Sequence, residues 1–72
     1  MIIEKIVEID DTYFVKILYH DNNDARRLYS LVGVSNGEYM TICQSFNRDA
    51  FLLKAKQYVK LTNKIELLIA SY

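Results

Sequence analysis

The sequence of 72 residues lacks proline altogether and has only one cysteine and two glycines. The single cysteine, Cys43, excludes an intrachain disulfide. Gly33 and Gly37 do not form a Gly-x-Gly pattern, which excludes a phosphate-binding loop and a dinucleotide-binding fingerprint. A domain this small buries only about 60% of the surface that its unfolded chain exposes. Its stability is therefore expected to come from self-association or from an efficiently packed core.

Net charge and long apolar runs are lacking too. Nine acidic and nine basic residues cancel, so no overall field attracts the protein to nucleic acid or to an anionic membrane. No stretch approaches the roughly 18 consecutive apolar residues of a membrane span, and no secretory signal pattern precedes the first strand. The sequence predicts one domain over residues 1–72, in the cytoplasm and without membrane contact.

The first 20 residues favour two strands. The segment MIIEKIVEID fits a helical stripe as well as a strand, but its β-branched residues favour a strand. TYFVKILYH alternates clearly with period two. A three-residue turn, Asp10-Asp11-Thr12, pairs Val7 with Val15, whereas a two-residue turn places Lys5 opposite Lys16. We therefore expect the three-residue turn, although it lacks the glycine that such turns favour.

A second hairpin follows the polar segment DNNDA. Asn36-Gly37 occupies the two central positions of a type I′ turn, both of which need positive φ. Counting outward from this turn predicts four pairs between the third and fourth strands: Val34 with Tyr39, Val32 with Thr41, Leu31 with Ile42, and Ser30 with Cys43.

The stretch SFNRDAFL predicts the start of a helix over about residues 48–62. Asn47 is the N-cap, and Phe46 and Phe51 occupy the positions of a hydrophobic staple. The last segment, KIELLIASY, fits either a helix or a strand. Since Thr62-Asn63 suits a helix interior poorly, a final strand is expected. The fold class is α+β: a four-stranded antiparallel meander, one helix and a C-terminal strand, with a small five-stranded β-barrel as the alternative.

The sequence contains no recognisable catalytic or metal-binding motif. His20 begins the segment HDNND, which lacks the glycine and terminal glutamate of a calcium loop and offers no second zinc ligand. Cys43 lies in the middle of a predicted strand, away from a base. A non-enzymatic protein without a cofactor or a metal is expected, and a small hydrolase or metal protein built around His20 is the competing hypothesis.

An apolar excess on the sheet is the main functional signal. The residues expected to face the helix are Tyr29, Leu31, Met40, Ile42 and Phe46. Those expected to face away are Leu28, Val32, Val34 and Tyr39. Because one helix cannot cover both faces, the second group predicts a surface for another protein or for a homodimer. By analogy of type, such a module resembles small accessory proteins of phages and mobile elements, viral inhibitors that bind and block a host factor.

Basic residues on the predicted helix offer an alternative function. Lys56, Lys60 and Lys64 recur every four residues, and Arg48 extends the same stripe. Such a stripe favours contact with phosphates and so predicts a nucleic-acid or nucleotide-binding protein. Three lysines are equally typical of the solvated face of an amphipathic helix.

Overall fold

Four strands in chain order and two helices after them make up the computed structural model, which describes residues 1–20 and 26–72. The sheet is antiparallel with the order β1-β2-β3-β4. The elements are β1 (Ile2–Glu8), β2 (Tyr13–His20), β3 (Arg27–Ser35), β4 (Glu38–Ser45), α1 (Arg48–Ala55) and α2 (Asn63–Ala70). The α+β class and the antiparallel meander are confirmed. The barrel alternative is wrong, because the sheet is open.

The turn between β1 and β2 has the predicted register, in which Val7 pairs with Val15. The carboxylate of Asp10 makes this turn possible without a glycine. Its Oδ1 accepts hydrogen bonds from the backbone N–H groups of Thr12 at 2.8 Å and Tyr13 at 2.9 Å. A side-chain acceptor of this kind stabilises a tight turn by bonding the backbone two and three residues ahead.

The turn between β3 and β4 is also as predicted, with Asn36 at φ 53° and Gly37 at φ 78°. Next to the turn, Val34 pairs with Tyr39 as expected. Farther out the register shifts at a β-bulge between Leu31 and Val32. Leu31 pairs with Cys43, so the predicted pairs Leu31 with Ile42 and Ser30 with Cys43 are wrong.

The bulge requires space beside Gly33, which has no side chain. Ile42 is the extra residue of β4, and its Cδ1 would lie 3.1 Å from a Cβ atom placed on Gly33. A side chain at position 33 would therefore crowd Ile42. Ile42 and Cys43 both pack against the core on the same side of the sheet. The two-against-one pairing thus reverses the alternation of faces for the rest of β4.

Phe46 is displaced by this reversal. It lines a surface with Leu28 on the side of the sheet away from Phe51 and is 57% exposed, so the predicted hydrophobic staple is wrong. Phe51 is fully buried and stacks on Tyr29 at a ring-centroid distance of 5.7 Å. Met40 shares the side of Gly33, as expected, but is largely exposed.

The C-terminal part differs most from the prediction. Asn47 caps α1, since its side chain accepts a hydrogen bond from the N–H of Ala50 at 2.9 Å. The helix ends at Ala55 instead of near residue 62. Thr62 does interrupt the helix, but it caps a second one by accepting from the N–H of Ile65 at 3.3 Å. The predicted C-terminal strand is therefore wrong, and residues 63–70 form α2.

Both helices pack on one side of the sheet, called the covered face here. α1 lies mainly against β3 and β4, and α2 lies against β1. The largest fully buried side chains between the layers are Val15, Ile17, Leu31, Phe51 and Ile69. Tyr72 is held at the end of α2, because its backbone oxygen accepts a hydrogen bond from Nε of Arg27 at 2.7 Å. The ring of Tyr72 also lies 5.7 Å from the Nζ atom of Lys5.

Candidate docking surface on the open sheet face

The side of the sheet opposite the helices, called the open face here, carries the predicted partner residues. Leu28, Val32, Val34 and Tyr39 all alternate with the buried residues of the covered face, as expected. Phe14 pairs with Val32, and its ring makes an edge contact with Tyr39 at 5.9 Å. Four residues thus form one cluster, the hairpin patch: Phe14, Val32, Val34 and Tyr39. Val32 is the buried member, with only 4% of its surface exposed.

A second apolar cluster lies toward the other end of the strands. Phe46 and Leu28 line one shallow cavity together with Ile2 and Leu18. These four residues are called the terminal patch. The guanidinium of Arg26 lies over the Phe46 ring, 4.6 Å from its centroid. Period-two alternation along β2 could have placed Phe14 and Leu18 on this face, but no local signal placed Phe46, because the bulge moves it.

A row of polar residues separates the two patches. Lys16 pairs with Ser30, and Ser30 pairs with Gln44. Ser30 as a whole is only 2% exposed, and its hydroxyl donates a hydrogen bond to Oε1 of Gln44 at 3.2 Å. The buried hydroxyl of Ser30 is therefore satisfied within the polar row, and Lys16 occupies the adjoining central position of the row on β2.

Charge is distributed unevenly across the open face. Glu4 and Glu8 lie on β1, at one edge of the sheet. Lys16 lies on β2, and Arg26 lies toward the opposite edge, over Phe46. The face therefore carries acidic groups along one edge and basic groups across its centre and its other side. Such an asymmetry restricts how any partner can be oriented on the face.

The exposed fractions distinguish this face from an ordinary surface. Tyr39 is 72% exposed, and Ile2, Ile6 and Phe46 are each at least half exposed. Isolated exposed apolar residues are normal in a soluble protein, whereas contiguous groups of aromatic and aliphatic residues mark interaction surfaces. The open face combines contiguous aromatic and aliphatic residues with a polar row at its centre and further charged residues toward its edges, and an apolar group with a polar rim is typical of interfaces.

The predicted basic stripe is not formed. Arg48 lies in the first turn of α1, Lys56 is its C-cap, Lys60 lies in the connecting loop, and Lys64 lies in the first turn of α2. The stripe required one continuous helix through about residue 62, and the helix ends before it. Lys56 instead forms an ion pair with Glu66, with a distance of 2.7 Å between Nζ and Oε1.

The remaining candidate groups do not converge on the open face. His20 is exposed at the end of β2, and the rest of the HDNND segment, residues 21–24, lies outside the described residues. Cys43 is half-buried on the covered face, where burial raises the pKa of its thiol, and Lys54 and a backbone hydrogen bond with Leu31 partly offset this rise. Within residues 1–20 and 26–72, no three His, Cys, Asp or Glu side chains cluster as metal ligands would.

Membrane and family relationships complete the description of the site. No helix in the described part of the chain is long and apolar enough to cross a membrane, and the cytoplasmic location stays a prediction. The chain matches no protein-family model, and no curated protein or solved structure is significantly similar to it. Function must therefore be inferred from the arrangement of its own residues.

Proposed function

We propose that this protein is a non-enzymatic protein-binding module that forms a homodimer through its open face. One observation carries the proposal: both helices pack on the covered face, while Tyr39 of the hairpin patch and Ile2 and Phe46 of the terminal patch are each more than half exposed on the open face. Burying these patches against a second copy removes aromatic and aliphatic surface from water, which is the dominant favourable term in association. The outer surfaces of the helices stay accessible to another protein in such a dimer.

The strands set the size of the open face. Four strands about 4.8 Å apart and about 27 Å long give it roughly 500 Å² in projection, so a dimer that uses the whole face falls toward the small end of stable interfaces, which typically bury about 800 Å² on each partner. A domain of 8.5 kDa buries a smaller fraction of its surface on folding than a larger domain does, and it gains stability by association.

The sheet edges are less suitable than the face. The bulge in β4 interrupts the ladder that an added strand would extend. At β1, an antiparallel two-fold pairing centred on residue 4, 5 or 6 brings like charges opposite each other: Glu4 with Glu4, Lys5 with Lys5, or Glu4 with Glu8. Like charges directly opposite in a ladder are destabilising. The face therefore remains the favoured contact.

Light scattering after size-exclusion chromatography tests the dimer. At micromolar concentration we expect the mass of two 8.5 kDa chains. Tyr39→Asp and Phe46→Asp each place a carboxylate on the open face and should shift the mass toward one chain. The matched control is Leu67→Asp on α2, because Leu67 is 70% exposed and Tyr39 is 72% exposed. This control should leave the dimer intact. A native protein with the mass of one chain would contradict the proposal.

Nucleic-acid binding, the alternative expected from the sequence, has no helical basic stripe to support it, although it stays a prediction. Salt separates it from the dimer. Phosphate contacts weaken steeply as the salt concentration rises, whereas an apolar face keeps most of its affinity. Titration of a fluorescent oligonucleotide at two salt concentrations measures this difference. The blocking of a host factor also stays a prediction.

A further inference from the structure

We infer that the two copies pack face to face about a two-fold axis parallel to their strands, so that β1 of one copy lies on β4 of the other. The inference rests on the dimer proposed above and concerns the same open face. Sheets packed face to face commonly keep their strands within about 30° of each other. A two-fold axis between the sheets keeps this alignment when it runs parallel or perpendicular to the strands. The charges on the open face distinguish these two directions.

An axis perpendicular to the strands, passing through the polar row, places every strand over its own copy. Lys16 lies in this row on β2, so it would face Lys16 of the second copy. On β1 the residue of this row is Ile6, which pairs with Lys16. Glu4 lies two residues before Ile6, and Glu8 lies two residues after it. Glu4 would therefore face Glu8 of the second copy. Like charges brought together in an interface oppose association, since little water remains to screen them.

An axis parallel to the strands gives a different set of contacts. Each residue then faces the same row of the second copy, with β2 over β3 and β1 over β4. Lys16 faces Ser30 beside its hydrogen-bonded Gln44, so a cation meets polar oxygens instead of another cation. Phe14 of the hairpin patch faces Val32 of the second copy, and Leu18 of the terminal patch faces Leu28 of the second copy. Apolar area is buried against apolar area along both ends of the interface.

The same axis brings opposite charges together at the sides of the interface. Glu4 pairs with Leu18, and Leu18 pairs with Leu28, which lines the same cavity as Phe46. Glu4 of one copy therefore lies over Phe46 of the other, where the Arg26 guanidinium stacks at 4.6 Å. The two-fold axis makes this contact twice. Complementary charges at the rim of an interface fix its register and orientation.

Thiol cross-linking tests the direction of the axis. In a Cys43→Ser background, Ile6→Cys and Gln44→Cys are combined in one chain and treated with a bifunctional maleimide of short span. The parallel axis places position 6 of one copy over position 44 of the other, so the double variant should form covalent dimers. Each single variant should form few, because its thiol faces no thiol of the second copy. Leu67→Cys on α2 is the background control.

Efficient cross-linking of either single variant would overturn the parallel axis, because only a perpendicular axis places each of these positions over itself. The dimer proposal would survive that result, since light scattering would still report two chains. A light-scattering mass of one chain would instead overturn the dimer, and the axis with it. Absence of cross-linking in a double variant that is dimeric by light scattering would also overturn the parallel axis.

A charge exchange supplies a second readout. Glu4→Arg should raise the dissociation constant of the dimer by about tenfold or more, because it places two cations together. Adding Arg26→Glu to the same chain exchanges the charges and should recover most of that loss. Sedimentation equilibrium measures the dissociation constants. If the double variant loses as much binding free energy as the two single variants do together, the contact between Glu4 and Arg26 is overturned.

Discussion

The two faces of the sheet are built from alternate residues of the same strands, yet their central rows differ. On the covered face, Val15, Ile17 and Leu31 are fully buried beneath two helices. On the open face, the central row contains Lys16 and Ser30, and the apolar residues are divided into two patches. A face that must be buried permanently cannot carry a cation at its centre without a partner for it. The open face is therefore suited to an interface that forms after folding.

The contrast can be tested most strongly with one phenylalanine from each face. Phe51 is fully buried on the covered face, so Phe51→Ala should lower the free energy of unfolding by about 3–5 kcal/mol, a loss sufficient to unfold most of a domain this small. Phe46→Ala, on the open face, should change the stability of the monomer by about 1 kcal/mol or less. Urea denaturation of the two variants, at concentrations where both are monomeric, measures the difference. Equal losses would contradict the distinction between the faces.

A smaller effect is expected at the turn from which the register of β3 and β4 is set. Gly37 has φ 78°, and a Cβ atom at this position would meet nothing within 4 Å beyond its chain neighbours, so only backbone strain opposes a substitution. Gly37→Val should cost about 1–3 kcal/mol and loosen the hairpin patch. Gly37→Asn is the control, because asparagine tolerates positive φ. Thermal unfolding measures both, and an unchanged Tm for Gly37→Val would show that the turn does not set the register.

The smallest effect concerns Cys43 beneath the bulge. Burial raises the pKa of its thiol, so the folded protein keeps this proton at pH values where the unfolded chain loses it. Its contribution to stability is complete below the ordinary thiol pKa of 9.0 and declines as the pH rises through the higher folded value. The urea midpoint of the native protein should therefore fall slightly more than that of Cys43→Ser above pH 9.0. Parallel curves for the two proteins would contradict the shift.

Local rules were sufficient for the parts of the fold that are set by neighbouring residues. Asn36-Gly37 predicted its turn because few residues adopt positive φ readily. Asn47 predicted the start of α1 because its side chain satisfies a free backbone N–H group. The three-residue turn at Asp10 was predicted from charge and face matching. The interactions at Asn36-Gly37 and Asn47 span fewer than five residues, and those that decided the turn at Asp10 lie within a single short hairpin.

Tertiary packing decided the parts that were missed. Residues 63–70 fit both periods, and Thr62 ends one segment and caps the next equally well. Burial of Ile69 against the sheet selects the helix, and this contact lies far away in sequence. The bulge depends on the space beside Gly33, which only the paired strand reveals. The four predicted residues of the open face were placed correctly, whereas Phe46 was not, because its position depends on that bulge.

The contact between α2 and β1 has a consequence for the time course of folding. The hydrogen bond from Arg27 to Tyr72 spans 45 residues, and Lys5 reaches the same tyrosine from the first strand. The two hairpins involve short loops that close quickly, whereas α2 must search over a long loop before Ile69 is buried. The sheet is therefore expected to assemble first and α2 to dock late. Until then α1 covers β3 and β4, but the part of the covered face beside β1 has no helix over it, so we expect apolar residues to be exposed on both sides of the first strands while α2 is still searching.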